Sequence, residues 1–238
     1  MRSLPSALAL AALMALGPGQ ISAETLPLPE SLIALQSGAG EVLLFNAEAR
    51  SDYTPLSLHF VTQQNPAFCG PATIAMVLNA LEVPRPPSEL TLGLGMFDQD
   101  NVFNARAEAA KPRAEVMQNG MTLDELGAVL TAYDLDVTVR HAGDASLDEF
   151  RETAVAELGD RNRFVLVNYL RSAIGQERGG HISPLAAYDA DTDRFLILDV
   201  SRYKYPPVWV QAAALFDAMN TPDADNENRT RGFVVVGR

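Results

Sequence analysis

Thr62-Gln63-Gln64-Asn65-Pro66-Ala67-Phe68-Cys69-Gly70-Pro71 decides how this chain is read, because it carries the single cysteine and runs directly into a helix. Ile74, Val77, Leu78 and Leu81 follow at helical spacing and make an apolar stripe. Pro71 suits the first helical position, where its missing N–H has no partner to lose. The Pro84, Pro86 and Pro87 cluster then ends the helix and forces a loop. A thiol at a helix start faces free backbone N–H groups and the positive end of the helix dipole. Both stabilise a thiolate, so a lowered thiol pKa is expected for Cys69. The plainer alternative is a buried cysteine packed as a small apolar residue. With one cysteine in 238 residues no intramolecular disulfide can form, which makes a reactive role the one to test.

Working outward, Gln63 stands six residues before Cys69, where a side-chain amide can donate to a developing oxyanion beside the Cys69 backbone N–H. Gln64 is the neighbouring alternative, and spacing does not choose between them. Toward the C-terminus, residues 181–188 and 195–200 flank the turn-like Asp189-Ala190-Asp191-Thr192-Asp193 and predict a hairpin. With the turn centred on Asp191, position 181 pairs with 201 and position 183 with 199. His181 and Asp199 are then diagonal neighbours on one face, roughly 7–8 Å apart at the backbone. A one-residue slip would put them on opposite faces. Cysteine, then histidine, then carboxylate is the order found in papain-like enzymes, where the third group orients the imidazole. Gly179-Gly180 leaves room for close approach just before His181. His59 and His141 read as structural or surface residues.

The remaining chain supports an α+β fold, with helices first and antiparallel strands later. Residues 41–45 read as a strand and residues 52–58 as irregular. Thr122 with Glu125, and Ser146 with Glu149, are capping-box pairs that open two further helices. Residues 136–140, 164–169 and 232–236 read as strands, and residues 221–227 as an acidic, solvated loop.

At the N-terminus Arg2 precedes an apolar run, and Ile21-Ser22-Ala23 follows a Gly-Pro-Gly break. This is the pattern of a cleaved export signal over residues 1–23, leaving a single catalytic domain over 24–238 that is periplasmic or secreted. The run is shorter than the ~20 apolar residues of a membrane-spanning helix, so no membrane anchor is expected. A net charge of −12 argues against nucleic acid or an anionic membrane as partner. One cysteine and three scattered histidines make a poor metal site, so no protein-bound metal is expected. The oligomeric state is left open, a homodimer included.

At these residues the chain resembles a known family. The segments 52–57 and 62–70, continuing through Val77-Leu78-Asn79-Ala80-Leu81, are similar to the nucleophile region of phytochelatin synthases. Gln99-Asp100-Asn101-Val102-Phe103-Asn104, Gly120-Met121-Thr122-Leu123 and Gly179-Gly180-His181-Ile182-Ser183-Pro184 resemble further blocks, and the run from Leu198 to Val210 resembles the aspartate segment. The resemblance implies a papain-like fold, with the cysteine on a helical part and histidine and aspartate on an antiparallel β part. It implies attack by Cys69 on the Cys–Gly bond of glutathione, with His181, Asp199 and Gln63 as catalytic partners. Glycine leaves, and the γ-glutamylcysteinyl thioester passes to water or to a second glutathione. Arg202 matches a family arginine associated with substrate recognition and suits a bidentate carboxylate contact. Gly180, Lys204, Arg171 and Arg178 join it as candidates for holding anionic substrate. No cofactor is required, and cadmium or zinc enters, if at all, as a glutathione complex. Plant and fungal members carry an added cysteine-rich region, absent here, so hydrolysis is expected to outrun polymerisation. Export points to secreted glutathione or its S-conjugates as substrate. A double-glycine leader peptidase is the rival reading, since it uses the same Gln, Cys-Gly, His, Asp order.

Overall fold

Residues 164–169 and 233–236 are apolar nearly throughout, and their side chains alternate between two covered faces. Phe164, Leu166, Val234 and Val236 enter one core, whereas Val165, Val167, Tyr169, Phe233 and Val235 enter a second. Strands buried on both sides require a layer of helices on each. The computed structural model describes residues 25–88 and 92–238, so the leader expected over residues 1–23 lies outside the described residues.

In chain order the elements are β1 (Ile33–Ala34), α1 (Gly38–Asn46), α2 (Tyr53–Leu58), α3 (Cys69–Ala80), α4 (Ala105–Ala110), α5 (Arg113–Asn119) and α6 (Leu123–Thr131). They continue as β2 (Asp136–His141), α7 (Leu147–Leu158), β3 (Arg163–Leu170), β4 (Gly180–Asp189), β5 (Arg194–Ile197), β6 (Val208–Gln211), α8 (Ala212–Met219) and β7 (Gly232–Gly237). The strands form a seven-stranded sheet in the order β1-β6-β5-β4-β3-β7-β2. Its neighbouring strands are all antiparallel. The fold is α+β with an antiparallel sheet, as the sequence predicts. One core packs α3 and α6 against the sheet, and the other packs α7 and α8.

Helix α3 is the centrepiece. Every residue from Cys69 to Asn79 is buried, which a helix apolar on all sides demands. Two polar contacts fix its position. Thr73 donates to the Ile182 carbonyl of β4 (3.3 Å), and the Asn79 amide bonds both the N–H and the carbonyl of Phe97 (3.0 and 2.9 Å). Gly70 lets the Met121 side chain pack close, since a Cβ there would stand 2.6 Å from its sulfur and the methionine would have to shift.

Both predicted capping boxes are present, at Thr122 and Ser146. Two expectations are corrected. Residues 41–45 lie in helix α1, which Ser37 caps by accepting from the Gly40 N–H, and residues 53–58 form α2. Pro55 and Pro71 each occupy the third helical position, where the N–H has no intrahelical partner, so neither breaks its helix. Strand β6 and helix α8 have no sequence signal between them, since the strand passes into the helix at Gln211 with no glycine or proline to mark the change.

Asp52, just before α2, is fully buried, and neither carboxyl oxygen has a hydrogen-bond partner. Burial first, then the negative charges of Asp160 and Glu157, push its carboxyl up to about 9. The folded value lies above the unfolded one of about 4, so Asp52 favours the fold fully below pH 4 and loses that contribution as pH rises toward 9. Replacing it by a neutral isostere removes the slope. Urea unfolding is therefore expected to show Asp52→Asn more stable than the parent at pH 8, by about 1–3 kcal/mol, with the gap closing toward pH 4.

Candidate active site

The β4–β5 hairpin sets the site through one irregularity. Next to the turn the pairing is Asp189 with Arg194, Tyr188 with Phe195 and Ala187 with Leu196. Continued unchanged, that register would place residue 184 opposite 199 and put His181 and Asp199 on opposite faces. A bulge between Leu185 and Ala187 takes up one residue, so Leu185 pairs with Ile197. The Leu198 N–H then bonds the Pro184 carbonyl (3.1 Å), which continues the shifted register. The sequence-level pairing of 183 with 199 is recovered through a bulge that the turn alone does not reveal.

As a result His181 Nε2 lies 2.8 Å from Asp199 Oδ1 and 2.9 Å from the Ser183 hydroxyl. A carboxylate only accepts, so the nitrogen facing it carries the proton and Nδ1 is left as the basic atom. The same Asp199 oxygen accepts from Arg171 and from the Ser201 N–H, each at 2.8 Å. Asp199 is fully buried. Burial alone would raise its pKa, but the charges and hydrogen bonds of His181 and Arg171 outweigh this and hold the carboxyl well below the usual range. The Tyr169 ring meets the His181 imidazole edge-on at 5.7 Å and closes that side.

Cys69 opens α3 as expected, and it is 7% exposed. Its electrostatics differ from the sequence reading. Burial pushes the thiol up, and this exceeds the lowering from backbone hydrogen bonds at Ile182 and Gly70 and from Arg171. Burial likewise pushes the His181 imidazole down, with Asp199 opposing and Arg171 assisting. Each group alone is held neutral. A proton moving from sulfur to nitrogen would leave a thiolate–imidazolium pair of no net charge.

Cys69, Gly180 and His181 share a cavity of about 320 Å³. Asp199 stands behind His181, and Arg171 behind Asp199. Arg171 was a candidate for holding substrate, but the structure buries it, with its guanidinium on Asp199 and Gln176 and over the Tyr205 ring at 5.3 Å. Arg202 lies over Phe60 at 4.8 Å, and Lys204 pairs with Glu177 at 2.8 Å. Neither lines this cavity. Gln63 is buried, and its amide donates to the Asn65 carbonyl (2.8 Å) and the Tyr203 hydroxyl (3.0 Å). His141 bonds Asp124 and the Thr230 carbonyl, a structural role as expected.

Several polar lining residues were missed, Asp225 among them. Asn168 comes from β3, Arg231 from the residue before β7, and Asp223 from the loop that reads as solvated. Asp223 is 8% exposed and binds Arg231 at 3.1 Å, while Arg231 Nε is buried with no partner. That nitrogen lies 3.4 Å from where a Cβ on Gly180 would be, so the glycine opens the way to the guanidinium. The only local signal was an arginine directly before a strand. Among the described residues no group of three or more His, Cys, Asp or Glu side chains is placed to hold a metal ion. Among them, too, no helix is long and apolar enough to cross a membrane.

A buried thiol beside an oriented imidazole is the equipment of a cysteine nucleophile. A family model described as phytochelatin synthase matches residues 23–233. The chain is 32% identical over 180 residues to glutathione gamma-glutamylcysteinyltransferase 3 of Lotus japonicus, covering 76% of this chain and 36% of the relative. It is 29% identical over 212 residues to glutathione gamma-glutamylcysteinyltransferase of Schizosaccharomyces pombe, covering 88% and 50%. To glutathione gamma-glutamylcysteinyltransferase 1 of Arabidopsis thaliana it is 30% identical over 218 residues, covering 90% and 43%. These alignments span half or less of each relative's length. The chain belongs to the phytochelatin synthase family.

Asp199 also carries a stability prediction. Its folded pKa lies below the unfolded value, so its contribution is present above about pH 4 and is lost as pH falls below that. Asp199→Asn leaves the buried Arg171 without its counter-charge. Urea unfolding at pH 7 is expected to show a loss of about 3–5 kcal/mol, and a smaller difference at pH 3.

Proposed function

We propose that this protein is a cysteine-dependent acyltransferase acting on glutathione, built on a papain-like fold over residues 24–238. The observation that carries the reading is that Cys69 and His181 line one cavity, with Asp199 behind His181, in a chain whose relatives are named for γ-glutamylcysteinyl transfer. His181 Nδ1 takes the Cys69 proton as the sulfur attacks the Cys–Gly carbonyl carbon. The oxyanion is met by the Cys69 N–H and by the Gln63 amide, which releases the half-exposed Tyr203 hydroxyl to do so. The imidazolium then protonates the departing glycine amine, leaving a γ-glutamylcysteinyl thioester. Water, or the amine of a second glutathione, attacks that thioester with His181 again as base, and Cys69 is regenerated.

Recognition of the γ-glutamyl end follows from the lining. This end bears an α-carboxylate and an α-ammonium. Arg231, with a free N–H, suits the first, and Asp223 with Asp225 suits the second. Arg202 and Lys204 stand outside the cavity, where they are placed to attract an anion toward an otherwise acidic surface. Cadmium or zinc takes part as a glutathione complex, part of the substrate. Export through the leader at residues 1–23 would place the enzyme where secreted glutathione or its S-conjugates are met.

Mass spectrometry of the protein incubated with glutathione is expected to show glycine and γ-glutamylcysteine, with longer γ-glutamylcysteine chains if a second glutathione serves as acceptor. Cys69→Ala is expected to yield none of these. Arg231→Met is expected to raise KM by about 10- to 100-fold with a smaller change in kcat. Release of glycine by Cys69→Ala at the parent rate would remove the reading, and cleavage of double-glycine peptides alone would put the leader-peptidase reading first.

A further inference from the structure

Asp199 serves two side-chain donors at once, one of them a permanent cation. Its Oδ1 receives His181 Nε2, Arg171 and the Ser201 N–H, all at 2.8 Å, while its Oδ2 has no partner. Arg171 is itself fully committed. It is 3% exposed, its second nitrogen binds Gln176, and its plane lies over Tyr205. Its backbone N–H bonds the Gly179 carbonyl at 3.0 Å, which ties the 171–179 loop to the start of β4. A guanidinium suits this place because a planar fork can hold a carboxylate, an amide and a ring face together, whereas an ammonium would keep only the positive charge beside Asp199.

We infer that Arg171 is a positioning residue of the catalytic row: it anchors Asp199 and takes up part of that carboxylate's charge, so that His181 rests uncharged and ready to accept a proton. This rests on the reading of His181 as base and Asp199 as its orienter. A buried carboxylate facing a histidine alone stabilises the imidazolium strongly, and a permanently protonated imidazole is no base. A second cation at hydrogen-bonding distance from the same oxygen tempers that effect.

The groups around His181 come from several elements, and across the cavity it shares stand Arg231, Asp223 and Asp225. Ser183 lies on β4, Tyr169 on β3 and Cys69 on α3. Asp199 follows β5, Arg171 leads its own turn, and Lys204 lies in the segment before β6. Of these, Asp199 is the anion that favours the imidazolium, while Arg171 and Lys204 oppose it, together with burial. Lys204 is shared with Glu177 at its surface, so Arg171 is the buried counterweight.

The test is a pH titration of the His181 ring by NMR on the intact 15N-histidine-labelled chain, with His59 and His141 identified through their own Gln variants. No substrate is needed, so this test and the glutathione assay fail independently. His181 is expected to titrate below about 6.5 in the parent chain. In Arg171→Met its midpoint is expected to rise by about one unit or more, and in Arg171→Lys to stay within about half a unit of the parent. A parent midpoint above that reference overturns the inference, as does a folded Arg171→Met whose midpoint is unmoved or lower. If Arg171→Met does not fold, the parent and Arg171→Lys decide, and a Lys midpoint more than about half a unit away overturns it.

Discussion

A carboxylate sealed from water sets the demands that the site's surroundings must meet. Asp199 has no solvent contact, and an ionised group in that position is tolerated only if cations and N–H donors surround it. Much of the architecture meets that need. The Leu185/Ala187 bulge turns His181 toward it, the segment after β5 turns the Ser201 N–H onto it, and the 171–179 loop delivers a buried guanidinium. Arg171 in turn requires Gln176 and Tyr205. The site is therefore the meeting point of β4, the end of β5 and two loops, with α3 supplying the sulfur from the other side.

Features set by local chemistry could be read directly. The two capping boxes, the helix beginning at Cys69 and the doubly buried strands need only neighbouring residues to declare themselves. Residues 41–45 could not be read this way. Glu41-Val42-Leu43-Leu44-Phe45 has the composition of a strand, but Ser37 caps it as a helix, and Val42 and Phe45 face outward. The hairpin is more instructive. Counting back from Asp191 places 183 opposite 199, yet the observed turn is one residue longer in register and the bulge cancels the difference. The face shared by His181 and Asp199 was legible, whereas the device that secures it was not, because a bulge in an apolar strand leaves no polar mark.

The charged residues around the substrate cavity were the least legible part. Arginines near the aspartate motif attract attention because they stand beside it in sequence. Space orders them differently: Arg171 turns inward to Asp199, Arg202 lies over Phe60, and the guanidinium in the cavity arrives from the far end of the chain at Arg231. Asp223 was hidden by its surroundings, since 221–227 is rich in acidic and small polar residues, the composition of a solvated loop. Only Arg231, three-dimensionally adjacent through β7, draws that aspartate out of water.

Carboxylates in a cavity meant for an anion look misplaced, and the proposed substrate explains why they are not. Asp223 and Asp225 outnumber Arg231 and leave the lining net negative, so the cavity has no general attraction for anions. Under the proposed function it would favour a molecule that brings a carboxylate and an ammonium a single carbon apart, and would penalise an anion lacking the amine by leaving the aspartates uncompensated. Discrimination of this kind comes from the unpaired charge that the wrong ligand leaves behind. The same logic governs Cys69 and His181 one step further in. Burial pushes both toward the neutral form, so the cavity disfavours a lone charge at either end and suits a pair in which each charge faces its opposite.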